Sequence, residues 1–224
     1  MRERFVKLSP PYARPLAAAD EQGRAPSLEA QIVDYADEIA YNSHDIDDGL
    51  KSGMLEQRDL ADVELWAEAH DWVERHHGDA SPSVQRYQTV RRIIDRLVTD
   101  MIQAIQARIE EHRIRALADV RQCRIRLAGF SGAMAERNRH LKQALLQRLY
   151  THYRVTRMAV KAQKIMTDLF QTYMDEPQQM PPHIHRRIEG GEPKARVVAD
   201  YIAGMTDRFA LDEYKKLFDP YERV

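Results

Sequence analysis

Cysteine is almost missing from this sequence. The single thiol, Cys123, excludes an internal disulfide framework and a cysteine-rich zinc site. Long apolar runs are missing too. None approaches the roughly 20 residues that a membrane-spanning helix needs, and no stretch reads as a signal peptide, so no membrane association and a cytoplasmic location are expected. Glycine is scarce, at 9 of 224 residues, and apolar/polar alternation with β-branched residues is nearly absent. That disfavours a strand-rich fold. What remains is dominated by Leu, Ala, Gln, Arg and Glu, the composition of an all-α protein. The length suffices to bury a sizeable core, as one large or two small domains.

Charge is balanced overall, with 34 basic against 35 acidic residues, but it is unevenly spread. Residues 1–85 hold 8 Lys and Arg against 18 Asp and Glu, whereas residues 86–164 hold 18 against 6. A basic middle beside an acidic first third implies pairing between segments or subunits, or a surface for a polyanion such as a nucleotide or nucleic acid. Aromatic residues are not interleaved with the basic stretch (Tyr87 and Phe130 stand alone until Tyr150 and Tyr153), so base stacking there is poorly supported.

The stretch around which the chain is organised runs from Ser27 to Gly49. Ser27 reads as a helix N-cap, Glu29 suits the positive end of the helix dipole, and Gly49 reads as a stop. Leu28, Ile32, Tyr35, Ala36 and Ile39 keep helical spacing. Asp37, Tyr41 and Asp45 fall at i, i+4 and i+8. Each step of four turns the side chain by only about 40°, so the three make one ridge about 12 Å long. A solvated acidic face is the competing reading, because Asp34, Glu38, Asp47 and Asp48 lie on the same helix.

Further helices are expected at about 58–75, 83–114, 133–150, 155–174, 194–205 and 211–218. Residues 1–26, rich in proline, read as a connector, with Arg2 to Leu8 as the end of a helix. Residues 27–80 and 81–224 follow as two helical regions. Cys123 to Phe130 alternates briefly and reads as an extended piece closed by Gly129. His70, His76 and His77 invite a metal reading, but histidines at a helix C-terminus commonly serve the dipole. Pro177 to Gly191, with His183 and His185, reads as a loop. Arg115, Arg121, Arg124 and Arg126 lie close enough in sequence to touch a phosphate, or form a solvated loop. Arg154, Arg157, Lys161 and Lys164 share one helix face opposite an apolar face of Val155, Met158, Ala162, Ile165, Met166, Leu169 and Phe170.

Three stretches carry a family resemblance. They are ADEIAYNSHDIDDGL (Ala36 to Leu50), the run from Tyr150 through Arg154, Val155, Arg157, Met158, Lys161 and Ala162 to Leu169, Phe170 and Tyr173, and DYIAGMTDRFALDEYKKLF (Asp200 to Phe218). Together, and with Arg2 to Pro15 read loosely, they resemble the C-terminal part of bacterial deoxynucleoside triphosphate triphosphohydrolases, the dGTPase-like branch of the HD-domain phosphohydrolases. The resemblance implies an all-α, multi-helix HD-like bundle that hydrolyses dNTPs to deoxynucleoside and inorganic triphosphate with a divalent metal (Mg, Mn or Co). It also implies homo-oligomers, hexamers among them.

The family binds its metal through His, His-Asp and a final Asp. Asp37 matches the final Asp, and residues 1–36 contain no histidine. The doublets His44-Asp45 and His70-Asp71 follow it and lack the family's surrounding pattern. The chain is therefore expected to be the C-terminal portion of a longer enzyme, without the upstream His and His-Asp helices and inactive alone. By the same resemblance Tyr41 packs on the deoxyribose and Asp45 accepts from the 3′-hydroxyl. Arg154, Arg157 and Lys161 receive phosphate, and Tyr201, Asp207 and Arg208 lie near the substrate pocket. The alternative is a helical oligomerisation, regulatory or nucleic-acid-binding module without catalysis.

Overall fold

The computed structural model describes residues 24–223, so the expected connector helix at Arg2 to Leu8 lies outside the described residues. Among the described residues all regular structure is helical. The chain divides after Thr151 into two compact units.

The first unit holds α1 (Leu28–Lys51), a 3-10 turn at Gln57–Leu60, α2 (Glu64–His77), α3 (Pro82–Glu111), α4 (Leu117–Gln122) and α5 (Gly132–Leu145), which runs into a π-helical turn at Leu146–Tyr150. Ser27 caps α1 as expected, its hydroxyl accepting from the Ala30 amide at 3.3 Å. Ile39 and Ile46 of α1, Leu65, Trp66 and Ala69 of α2, Ile93 and Leu97 of α3, and Leu141 and Leu145 of α5 close one core. Helical spacing puts each set on one stripe, and burying those stripes holds the bundle together.

Two expectations are corrected here. Gly49 does not stop α1. It lies inside the helix because Leu55 packs on it: a Cβ there would stand 2.7 Å from Leu55 Cδ1 and 3.3 Å from Leu149 Cδ1. The helix ends two residues later, and Gly53 takes the left-handed conformation (φ 68°) that follows a helix end. Residues 123–130 form no strand, for want of a neighbour to pair with. Their backbone groups bond to side chains instead. Arg108 donates to the carbonyls of Leu127, Gly129 and Phe130 at 3.1, 2.7 and 2.6 Å. The Gln31 side-chain oxygen accepts from the Leu127 and Ala128 amides at 2.9 and 3.2 Å.

The second unit holds α6 (Tyr153–Asp175), a 3-10 turn at Pro177–Gln179, α7 (Pro182–Glu189), α8 (Lys194–Ala203) and α9 (Asp207–Phe218). Its core joins Ile165, Leu169 and Tyr173 of α6 to Val198 and Ile202 of α8 and Ala210 of α9. His183 and His185 sit on a helix rather than in a loop, because Pro182 occupies the first helical position, where its missing N–H costs nothing. The apolar face of α6 is only partly core. Ile165 and Leu169 are buried, whereas Met158 is 70 % exposed and Met166 and Phe170 also face out.

Candidate functional site

The charge asymmetry of the sequence resolves inside the first unit. Arg86 pairs with Asp47 at 2.9 Å, Arg137 with Glu64 at 2.6 Å, Lys142 with Glu38 at 2.9 Å and Arg148 with Asp62 at 2.6 Å, and Arg96–Glu68 and Arg126–Asp34 are ion pairs as well. Three acids of α1, namely Asp34, Glu38 and Asp47, are thereby neutralised from the basic middle of the chain. Glu38 also accepts from the Asn138 amide at 2.7 Å. Arg126, one of the four arginines that could touch phosphate, is committed to Asp34 and lies over the Tyr35 ring at 5.2 Å.

Against that background the Asp37–Tyr41–Asp45 ridge stands apart. Asp37 is exposed and takes part in no ion pair among the described residues. Tyr41 and Asp45 are half-buried. The Tyr150 hydroxyl donates to the Asp45 carboxylate, and the Tyr41 and Tyr150 rings lie 6.3 Å apart at 37°. Burial pushes the Asp45 carboxyl above the usual carboxylate range, against hydrogen bonds from the Tyr150 and Tyr41 hydroxyls that lower it. Burial likewise pushes the Tyr150 hydroxyl far above its ordinary value, and the bond to Asp45 adds to this. Tyr150 is therefore a fixed donor at any physiological pH. It closes the π-helical turn, a feature often found at functional sites. Arg148 anchors that turn with a fork to both Asp62 oxygens, each 2.6 Å away.

Tyr150 was missing from the residues assigned a role from sequence. Its only signal was its place at the head of the second matching run, 105 residues from Asp45.

Arg154, Arg157 and Lys161 belong to the second unit, exposed on the first turns of α6 and in no ion pair among the described residues. The Tyr153 ring lies 5.8 Å from the Arg154 guanidinium and 5.4 Å from that of Arg157. Lys164, on the same face, is taken by Asp168 at 2.7 Å. Tyr201 on α8 packs edge-on to Tyr173, 5.6 Å between ring centroids. Asp207 and Arg208 are the first two residues of α9, both exposed, beside the Thr206 cap.

Asp37 brings a single carboxylate. Among the described residues, the His, Asp and Glu side chains close enough to share a cation lie elsewhere, at His70, Asp71 and Glu74 on α2. Asp37 by itself can offer a cation one carboxylate.

A family model described as the phosphohydrolase-associated domain matches residues 128–216, and the all-helical fold is consistent with it. A deoxyguanosinetriphosphate triphosphohydrolase-like protein of Geobacter metallireducens is 47% identical over 99% of this chain and 58% of its own length. Proteins of the same description from Geobacter sulfurreducens and Bordetella pertussis are 45% and 41% identical over 99% and 97% of the chain. The chain resembles the C-terminal part of these deoxyguanosinetriphosphate triphosphohydrolase-like proteins. It spans a little over half the length of these curated relatives.

Proposed function

We propose that the chain is the C-terminal part of a divalent-metal-dependent dNTP triphosphohydrolase and is inactive by itself. The observation that carries this reading is the α1 ridge. Ion pairs neutralise Asp34, Glu38 and Asp47, whereas Asp37 stays exposed and Asp45 is held under a tyrosine hydroxyl. A helix that only packed would have no cause to retain a half-buried carboxylate whose ionisation burial opposes.

Asp37 is the last ligand of a metal (Mg, Mn or Co) whose remaining donors come from a His and a His-Asp of an upstream segment; bound there, the metal supplies a Lewis acid and an acidified water. Tyr41, one turn along, packs on the deoxyribose and disfavours a 2′-hydroxyl. Asp45, a further turn on, accepts from the 3′-hydroxyl. Arg154, Arg157 and Lys161 of the second unit bind phosphate oxygens through charge-assisted hydrogen bonds, and Tyr201, Asp207 and Arg208 are further substrate-binding residues. The products are deoxynucleoside and intact inorganic triphosphate, and the working form is a homo-oligomer.

The sugar assignment is tested in an active enzyme assembled from this chain and an upstream segment. Asp45→Ala removes one charged hydrogen bond to the 3′-hydroxyl, worth about tenfold to a hundredfold in kcat/KM. The variant is expected to lose that much on dNTPs but not on 2′,3′-dideoxynucleotides. Equal losses on both would contradict the assignment.

A further inference from the structure

We propose that His70, Asp71 and Glu74 on the outer face of α2 bind a late first-row divalent cation of the zinc or cobalt kind. The site is separate from Asp37 and does not depend on the reading given above for that residue.

One ligand atom from each of the three side chains lies within 4.8 Å of the others. His70 Nδ1 stands 3.9 Å from the nearer Glu74 oxygen. That is too long for a hydrogen bond, which would bring the pair to about 3.2 Å or less. It is close to the spacing of two donors on one cation, since arms of about 2.0–2.2 Å place them roughly 3–4 Å apart.

The imidazole is prepared for this role. Its Nε2 lies 3.2 Å from the Gln57 side-chain oxygen, which only accepts, so Nε2 carries the proton and donates. The Nδ1 lone pair is then left on the Glu74 side. This is the outer hydrogen bond that metal-bound histidines make, fixing the tautomer and raising ligand basicity. The ring plane is fixed as well: it stacks on Trp66 at 5.8 Å and 27°, and Trp66 is itself buried in the core. Asp71 and Glu74 are exposed, so their side chains can close by the ångström or so that a cation would require.

An imidazole with carboxylates suits zinc, cobalt or nickel better than the hard cations magnesium and calcium. The charge is also right, because two carboxylates balance a divalent ion. His76 and His77, at the end of the same helix, are used otherwise: His76 stacks on Trp72 at 4.2 Å and donates from Nδ1 to the Trp72 carbonyl at 2.7 Å.

The test is titration of zinc, and of cobalt(II) as an absorbing probe, into the untagged chain of residues 1–224 at pH 7.5. We expect one equivalent to bind calorimetrically with micromolar affinity. His70→Ala and Glu74→Gln should each weaken it at least tenfold. Gln57→Leu, which touches no metal, should weaken it by about tenfold or more through the lost outer hydrogen bond. The double change His76→Ala, His77→Ala and the change Asp37→Ala should leave it intact, and circular dichroism checks each fold. Glu74 is on the surface, so its variant reports even if His70→Ala unfolds α2. Binding weaker than millimolar, or binding at full strength in Glu74→Gln, would overturn the proposal.

Discussion

Asp45 and Tyr150 are joined by a hydrogen bond across 105 residues of sequence, and the cost of that arrangement falls on Asp45. Burial raises its folded pKa above the unfolded value, so the native state holds the proton more tightly. The penalty is therefore present above the raised pKa and disappears as pH falls through it toward the ordinary carboxylate range, about 3.9. Asp45→Asn is expected to be at least as stable as the parent at pH 7 in urea unfolding, with the difference vanishing near pH 4. A large loss of stability at pH 7 would mean that the carboxylate serves the fold. Helical spacing alone made the Asp37–Tyr41–Asp45 ridge legible. The tyrosine that holds Asp45 was not, because periodicity relates residues along one helix and is silent about a partner on another.

At the scale of elements, α1 and the π-helical turn meet at Gly49. The two leucines nearest a Cβ there, Leu55 and Leu149, are both buried, and Leu149 immediately precedes Tyr150. Gly49→Ala gains helix propensity of about 1 kcal/mol but forces overpacking worth about 1–3 kcal/mol. A net loss of about 0–2 kcal/mol in chemical denaturation is expected, with the turn displaced from Asp45. Gly53→Ala should cost about 1 kcal/mol for a different reason, the left-handed φ. A glycine in the sequence declares freedom from a side chain and not the use made of it. That is why Gly49 read as a stop when it is a point of close approach. The alternation of Arg124 to Leu127 misled in a similar way. Period two signals a strand only where a neighbouring strand exists, and here Arg108 and Gln31 satisfy the backbone instead. The long amphipathic helices needed no such context; Pro82–Glu111 and Tyr153–Asp175 lie within three residues of their expected bounds, whereas the helix expected from 58 begins at Glu64, after a 3-10 turn at Gln57–Leu60.

Over the whole molecule, the unequal charge of the two sequence segments is partly spent on ion pairs within the first unit. Six cations from residues 86–148 meet six carboxylates from residues 34–68. Composition allowed either internal pairing or a polyanion surface, and only the folded arrangement decides how the cations are spent. The exposed α6 cations in no ion pair among the described residues are Arg154, Arg157 and Lys161, by themselves too few to track a nucleic-acid backbone. Fluorescence anisotropy with single-stranded DNA at 150 mM salt is expected to show binding no tighter than about 10–100 µM, the range of non-specific contacts. Among the described residues, no helix is long and apolar enough to cross a membrane.

The central claim, that Asp37 completes a metal site whose other donors lie upstream, is met most directly by measuring tripolyphosphate release. Residues 1–224 would be mixed with, or fused behind, the upstream segment of the Geobacter metallireducens relative, with each of the four dNTPs and Mg²⁺, Mn²⁺ or Co²⁺. The account predicts no release by the chain alone, release by the assembled protein, and its loss in Asp37→Ala with helicity unchanged. Undiminished release by the Asp37→Ala assembly would contradict it.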